Sequence, residues 1–230
     1  MALDRTAIRD LYRRRAERYD QALWLFRLAG FRFDRYRRLT VHSLGLRQGD
    51  TVVDLACGTG LNFPLLEAAV GPSGTVLGVD LTAAMLEQAG ERASAEGWTN
   101  VELVHADLAA YDPPAGIGGA LSTFAITLVP EYDQVIARCA AALRPGGRLA
   151  IFDFKEPPSW PRWLVRFAAW ANRPFGVTLD LADRHPWESV RRHLSEVEHR
   201  ELYFGALYLS VGERAGAESE ILGEGVERRR

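Results

Sequence analysis

The 230-residue chain has only two cysteines, Cys57 and Cys139, and nothing in their placing suggests a disulfide framework or a metal site. It has no apolar run approaching the roughly 18 residues needed to span a bilayer. Its first residues are too charged for a secretory signal. It has no internal repeat and no recognisable RNA or DNA module, so nucleic acid is not an expected partner. These absences leave one domain with a sizeable core, room for a lid, and the cytoplasm as the expected compartment. Peripheral attachment to the inner membrane surface stays open, as does the oligomeric state.

The net charge of −2 conceals an uneven distribution. Residues 1–48 carry 12 arginines against 5 acids, whereas residues 49–154 carry 4 arginines against 13 acids. The acidic block suits a body that binds a cationic cofactor. The basic front suits phosphate, an anionic surface, or simply a solvated helical arm. Apolar residues in 3–20 recur at steps of three and four, and 21–44 continues with Trp24, Phe26, Phe31, Phe33 and Tyr36 among further arginines. Such a segment reads as an amphipathic cap on a core or as an interfacial helix.

The most informative stretch is Val52-Val53-Asp54-Leu55-Ala56-Cys57-Gly58-Thr59-Gly60-Leu61-Asn62. Its β-branched start predicts a strand packed on both faces. Gly58 and Gly60 permit a sharp turn and a close ligand approach. Asn62 is placed to cap a helix, and Pro64 is tolerated in its first turn. A strand, glycine turn and helix start make a nucleotide-sized pocket at a strand's carboxyl end. A nicotinamide fingerprint would have a third glycine at position 63, where this chain has Phe63, so a dinucleotide is disfavoured.

Downstream, Thr75 to Asp80 reads as a second strand. Asp80 stands 20 residues beyond Gly60, where a carboxylate can accept hydrogen bonds from ribose hydroxyls. Thr82 is a plausible cap for the next helix, in which Met85 is either core or an adenine contact. Val101 to Val104 predicts a third strand ending in His105-Ala106-Asp107-Leu108. Pro113 to Gly119 reads as a loop, and Ala120 to Val129 as a fourth strand with a turn beyond it. A helix over Glu131 to Leu143, a tight turn over Arg144 to Arg148 and a fifth strand over Leu149 to Phe154 follow. Residues 156–196 break the alternation with Trp160, Trp163, Phe167 and Trp170 at helical spacing. Residues 197–204 and 206–212 read as a closing hairpin about Gly205, and 213–230 as a disordered tail.

The glycine turn, Asp80, Asp107-Leu108 and Leu143-Arg144-Pro145-Gly146-Gly147 occur in the order of class I S-adenosylmethionine (SAM) methyltransferases, which the chain resembles. Within that class it is similar to the ubiquinone/menaquinone-biosynthesis-like group. It is also similar to bacterial phospholipid and betaine-lipid N-methyltransferases, through its Arg-rich front and the Gly58-to-Asn62 turn. One departure is Ala56, where the family often has glycine; alanine there argues against a positive φ. The resemblance implies an α/β Rossmann-like sheet of seven strands, mostly parallel, with an antiparallel C-terminal hairpin and helices on both faces. It implies a core over 46–155 and 197–212, a cap over 1–45 and a substrate lid over 156–196. The implied cofactor is SAM, with S-adenosylhomocysteine (SAH) as product. Its expected contacts are Tyr19, Asp54, Ala56, Gly58, Thr59, Gly60, Asn62, Asp80, Leu81, Met85, Asp107, Leu108 and Thr123.

For the acceptor, the candidates are Phe124, Arg162, Trp163, Arg166, Trp187, Tyr203 and Tyr208. Aromatic faces would steady a developing cation, and the two arginines would hold a headgroup phosphate. Tyr19 and His185 are the catalytic candidates, the first closing over the cofactor and the second as a base or a structural histidine. The leading expectation is N-methylation of an amine lipid headgroup at the membrane surface. The alternatives are carbon or oxygen methylation of a soluble small molecule or quinone-like ring, and SAM binding without catalysis.

Overall fold

The computed structural model describes residues 32–157, 160–166, 181 and 183–216. Seven strands form one sheet in the order β3-β2-β1-β4-β5-β7-β6. They are β1 (Thr51–Leu55), β2 (Thr75–Asp80), β3 (Val101–His105), β4 (Ile117–Thr123), β5 (Leu143–Phe154), β6 (Ser195–Leu202) and β7 (Leu207–Glu213). The first five are parallel, and β7 runs antiparallel between β5 and β6. The helices are α1 (Phe33–Ser43), α2 (Phe63–Val70), α3 (Ala83–Ala95), α4 (Tyr132–Ala142) and α5 (Pro186–His193). The expected mostly parallel Rossmann-like architecture is therefore the observed one.

Alternation along β1 builds the two cores. Val53 and Leu55 face one cluster, shared with Val135, Ile136 and Cys139 of α4 and Val190 of α5. Val52 faces the other, with Val41 of α1, Phe63 and Leu66 of α2 and Leu86 of α3. A strand buried on both sides has every side chain in an apolar layer, which explains its β-branched run. Chain order reverses direction across the sheet at β1, since β2 and β4 both pair with it in parallel. The crevice beyond its carboxyl end is where ligands bind in open α/β sheets.

Three local expectations change. Residues 117–119 are strand rather than loop, because the glycines admit close neighbours: a Cβ on Gly118 would stand 2.4 Å from the Asp50 carboxyl carbon. Residues 144–148 belong to β5, which passes through the glycines with a register shift against β4 between Ile117 and Gly119. β4 stops at Thr123 and the expected turn beyond it begins at Phe124, whose left-handed φ of 61° takes the chain off the sheet. Asn62 precedes α2 but makes no capping bond; its amide is drawn to Asp54 instead.

Ala56 also overturns its expectation: its φ is +56°. The Cys57 N–H bond to the Val79 carbonyl at 2.9 Å holds the chain in that bend. A non-glycine residue there costs about 1–2 kcal/mol. Ala56→Gly should therefore raise unfolding stability by about 1 kcal/mol after the extra chain entropy of glycine is counted. Urea denaturation with an unchanged slope is the measurement that checks it.

Candidate cofactor and acceptor pocket

A pocket opens at the carboxyl ends of β1, β2 and β4 and encloses about 790 Å³ of empty space, its open mouth included. One side is the glycine turn. Ala56 and Gly58 line it, and the space beside the Gly58 α-carbon is open, so a ligand can meet bare backbone there. Gly60 lies behind, with φ +75°; a Cβ on it would sit 2.6 Å from the Phe63 ring. That fully buried ring occupies the position a third glycine would leave open. Thr59 is buried too, and its carbonyl accepts a 2.8 Å bond from Arg92 of α3.

Asp80 ends β2 at the pocket wall. Its Oδ2 accepts the Gly58 N–H at 2.9 Å and its Oδ1 the Thr82 N–H at 2.8 Å. A carboxylate has about four acceptor positions; the Thr82 side chain also bonds to this one, and acceptor capacity is left for a ribose hydroxyl. Burial raises its pKa, opposed by the Thr82 and Gly58 N–H bonds. Thr82 occupies the N-cap position of α3, but its hydroxyl makes no capping bond. Leu81, Met85 and Leu108 provide flat apolar walls, and Met85 is almost fully buried. Asp107 also lines the pocket, and its carboxylate accepts the Ala109 N–H at 2.9 Å. His105 is a strand residue bonded to the Leu81 carbonyl.

Beneath the glycine turn lies a buried polar chain with no counterpart in the sequence reading. Arg37, on the inner face of α1, donates to Asn62 Oδ1 at 2.9 Å and to Thr123 Oγ1 at 3.0 Å. Asn62 donates in turn to both Asp54 oxygens, at 3.0 and 3.1 Å. Burial pushes the Asp54 carboxyl up to about 7 even though the Asn62 bond and the Arg37 charge pull the other way. Arg37, Asn62 and Asp54 do not line the pocket, whereas Thr123 does. A signal for Arg37 existed: it falls on one helical stripe with the buried Thr40, Val41 and Leu44, and a charge on a core stripe demands a partner.

The remaining wall is a segment after β4. Phe124, Ala125, Leu128, Val129 and Pro130 line it. Phe124 also joins an aromatic cluster: its ring centroid is 5.2 Å from Phe33, 5.1 Å from Phe152 and 5.2 Å from Phe154. Tyr36 extends that cluster to Tyr203 in the β6–β7 turn, 5.7 Å away.

Of the acceptor and catalytic candidates among the described residues, only Phe124 lines the pocket. Tyr208 is fully buried in the core, with Trp187 edge-on at 4.9 Å. His185 lies 4.8 Å from Trp187 and pairs with Glu188 at 3.5 Å. Arg162, Trp163 and Arg166 lie in a helical stretch over 162–166, with Trp163 70% exposed. Tyr19, Phe167, Trp170, the arginines of 1–31 and the tail beyond 216 lie outside the described residues. Among the described residues no helix is long and apolar enough to cross a membrane.

Residues 52–147, which contain every strand and turn bordering this pocket, match the family model "Methyltransferase domain". Residues 52–147 are thus similar to a SAM-dependent methyltransferase domain. The chain is 28% identical over 145 residues to the demethylmenaquinone methyltransferase of Listeria monocytogenes serotype 4a, a match covering 62% of this chain and 61% of that protein. It is 34% identical over 124 residues to the ubiquinone/menaquinone biosynthesis C-methyltransferase UbiE of Hahella chejuensis, covering 53% of this chain and 50% of that one. The chain thus spans between half and two thirds of these relatives' length. Its fold matches the geranyl diphosphate C-methyltransferase of Streptomyces coelicolor A3(2), with a TM-score of 0.64, 14% identity and coverage of 79% of each chain. The matched residues take in the glycine turn, Asp80 and the crevice at β1 together.

Proposed function

We propose that this protein transfers the SAM methyl group to a carbon or oxygen of a planar, quinone-like ring. The residues present fit the donor. Gly58 offers open backbone, Asp80 keeps acceptor capacity for the ribose, and Met85 and Leu108 provide faces for a purine. Thr123, held from behind by Arg37, puts a hydroxyl at the carboxyl end of β4 for a carboxylate. SAM supplies an electrophilic methyl on a sulfonium, and the chain's own task is alignment, which carries a large share of the rate in such displacements. Leu128, Val129 and Pro130 exclude water beside the reacting atoms.

The observation that carries the ring reading is the composition of the acceptor wall. Among the described residues, Asp80 and Asp107 are the only titratable groups lining the pocket, and both lie on the donor side. An amine headgroup is protonated at neutral pH and must lose a proton before it can attack. An electron-rich hydroxylated ring can attack through carbon first and release its proton afterwards. The relatives support the same choice, since both are named for methylation in quinone biosynthesis. The lipid-headgroup expectation has less behind it, because Arg162, Trp163 and Arg166 do not line the pocket.

The test is a methyl-transfer assay with labelled SAM, run on reduced demethylated naphthoquinones and on phosphatidylethanolamine vesicles. Methylated ring product with inert vesicles is expected. Headgroup methylation without ring product would overturn the reading in favour of the lipid. SAH binding by calorimetry with no transfer to either would favour the non-catalytic alternative.

A further inference from the structure

Thr127 has three polar groups, and all three are engaged away from the pocket. Its N–H and its hydroxyl both donate to Asp153 Oδ2, at 3.0 and 2.9 Å. Its carbonyl accepts the Arg184 guanidinium at 2.7 Å. Thr127 is the middle residue of the single 3-10 turn Ile126–Leu128, so the pocket wall continues on either side of it, through Ala125 before and Leu128 after. Asp153 is the penultimate residue of β5 and is almost fully buried, with its Oδ1 taken by the Phe154 N–H at 2.8 Å. Arg184 belongs to the stretch just before α5, and the next residue, His185, adds a weaker tie to the Tyr132 hydroxyl at 3.4 Å. Neither Asp153 nor Arg184 lines the pocket.

We infer that Thr127, clamped between Asp153 and Arg184, is a positioning residue that couples occupancy of the methyl-donor pocket to the order of residues 183–190. The inference rests on the reading of the pocket as the donor site. Its physical basis is that one short turn is shared. A ligand seated against Ala125 and Leu128 restricts the turn between them. That restriction fixes the Thr127 carbonyl as an acceptor for Arg184. A charge-assisted bond to a held acceptor is stronger than one to a fluctuating acceptor, so residues 183–190 open less often. By reciprocity, whatever orders 183–190 also tightens the donor pocket. Residues 183–190 lie within 156–196, the region read from sequence as the substrate lid. The donor would then prepare the acceptor side before the acceptor arrives.

The test is amide hydrogen exchange of 183–190 with and without SAH, on wild type, Arg184→Ala, Arg184→Lys and Thr127→Val, with calorimetry of SAH binding to each. In wild type, SAH should slow exchange over 183–190 by about threefold or more. Arg184→Lys, which keeps a cationic donor, should retain most of that slowing. Arg184→Ala should bind SAH yet show none. Thr127→Val keeps the backbone bonds and loses one of two anchors to Asp153, so it should fall between. Slowing that survives intact in Arg184→Ala, or SAH binding to wild type with no change over 183–190, would overturn the coupling. If SAH does not bind wild type at all, the donor-site reading fails and the coupling fails with it. A structural role for Arg184 would change exchange equally with and without ligand, so the ligand-dependent difference separates the two.

Discussion

Asp80→Ala should reduce SAM and SAH affinity by at least about a hundredfold, because two hydrogen bonds to a charged group are worth roughly 3–6 kcal/mol together. The expectation follows from what the carboxylate already does. It holds the Gly58 and Thr82 N–H groups from opposite walls, 22 and 2 residues away in sequence. With these two bonds in place, its remaining acceptor capacity faces a pocket that it lines itself. Removing the side chain strips the ribose site and frees two buried donors at once. Part of the loss will therefore be structural, since each orphaned N–H costs about 1–3 kcal/mol. Asp80→Asn separates the contributions. It retains one acceptor for the protein and repels a backbone or hydroxyl donor with its NH₂. Calorimetric titration with SAH, beside far-UV circular dichroism, is the measurement. Tight binding by folded Asp80→Ala would remove Asp80 from the donor site and leave Gly58 alone to argue for it.

What was legible in the sequence was what depends on neighbours a few residues apart. The β1 strand, the glycine turn and β2 over Thr75–Asp80 follow from local chemistry: short β-branched runs buried on both faces, permitted φ and a charge at a strand end. The fold followed because those units have few ways to pack. What was not legible depends on the chain crossing itself. Arg37 reaches Asn62 over 25 residues and Thr123 over 86, and no local pattern specifies either partner. Asn62 was read as a helix cap because its type and place fit one. The stronger demand of a fully buried carboxylate at Asp54 took its amide instead. The turn beyond β4 was legible, but not that Ala125, Leu128 and Val129 are apolar because they wall a pocket, which the left-handed Phe124 sets up. Ala56 shows the same limit. The propensity argument against a positive φ was sound, and the Cys57–Val79 bond simply outweighs it.

Asp54 gives the second large effect, and its sign can be worked out. In the unfolded chain an aspartate titrates near 3.8, and in the fold burial moves this one to about 7. Between those values the folded protein holds a proton that the unfolded chain has lost. Stability from this group is therefore full below pH 4 and is lost as pH rises through 7. The loss approaches about 4 kcal/mol if the whole shift is expressed. Asp153, pushed by burial up to about 6, acts in the same direction over a narrower window. The ligand-free protein should accordingly have a lower urea midpoint at pH 8 than at pH 5, and Asp54→Asn should flatten most of that slope.

Ligand binding reverses part of the effect. SAM carries an ammonium and a sulfonium, and Ala56 and Gly58, which follow Asp54 closely in the chain, line the pocket that receives them. Positive charge there favours the ionised carboxylate, so SAM binding at pH 7 should release a fraction of a proton. SAH lacks the sulfonium and should release less. Titrations in buffers of different ionisation enthalpy measure that fraction, and Asp54→Asn should abolish the difference between the two ligands. Equal proton release by SAM and SAH would mean that Asp54 does not sense the sulfonium. Its burial would then serve only to anchor Asn62 beneath the glycine turn.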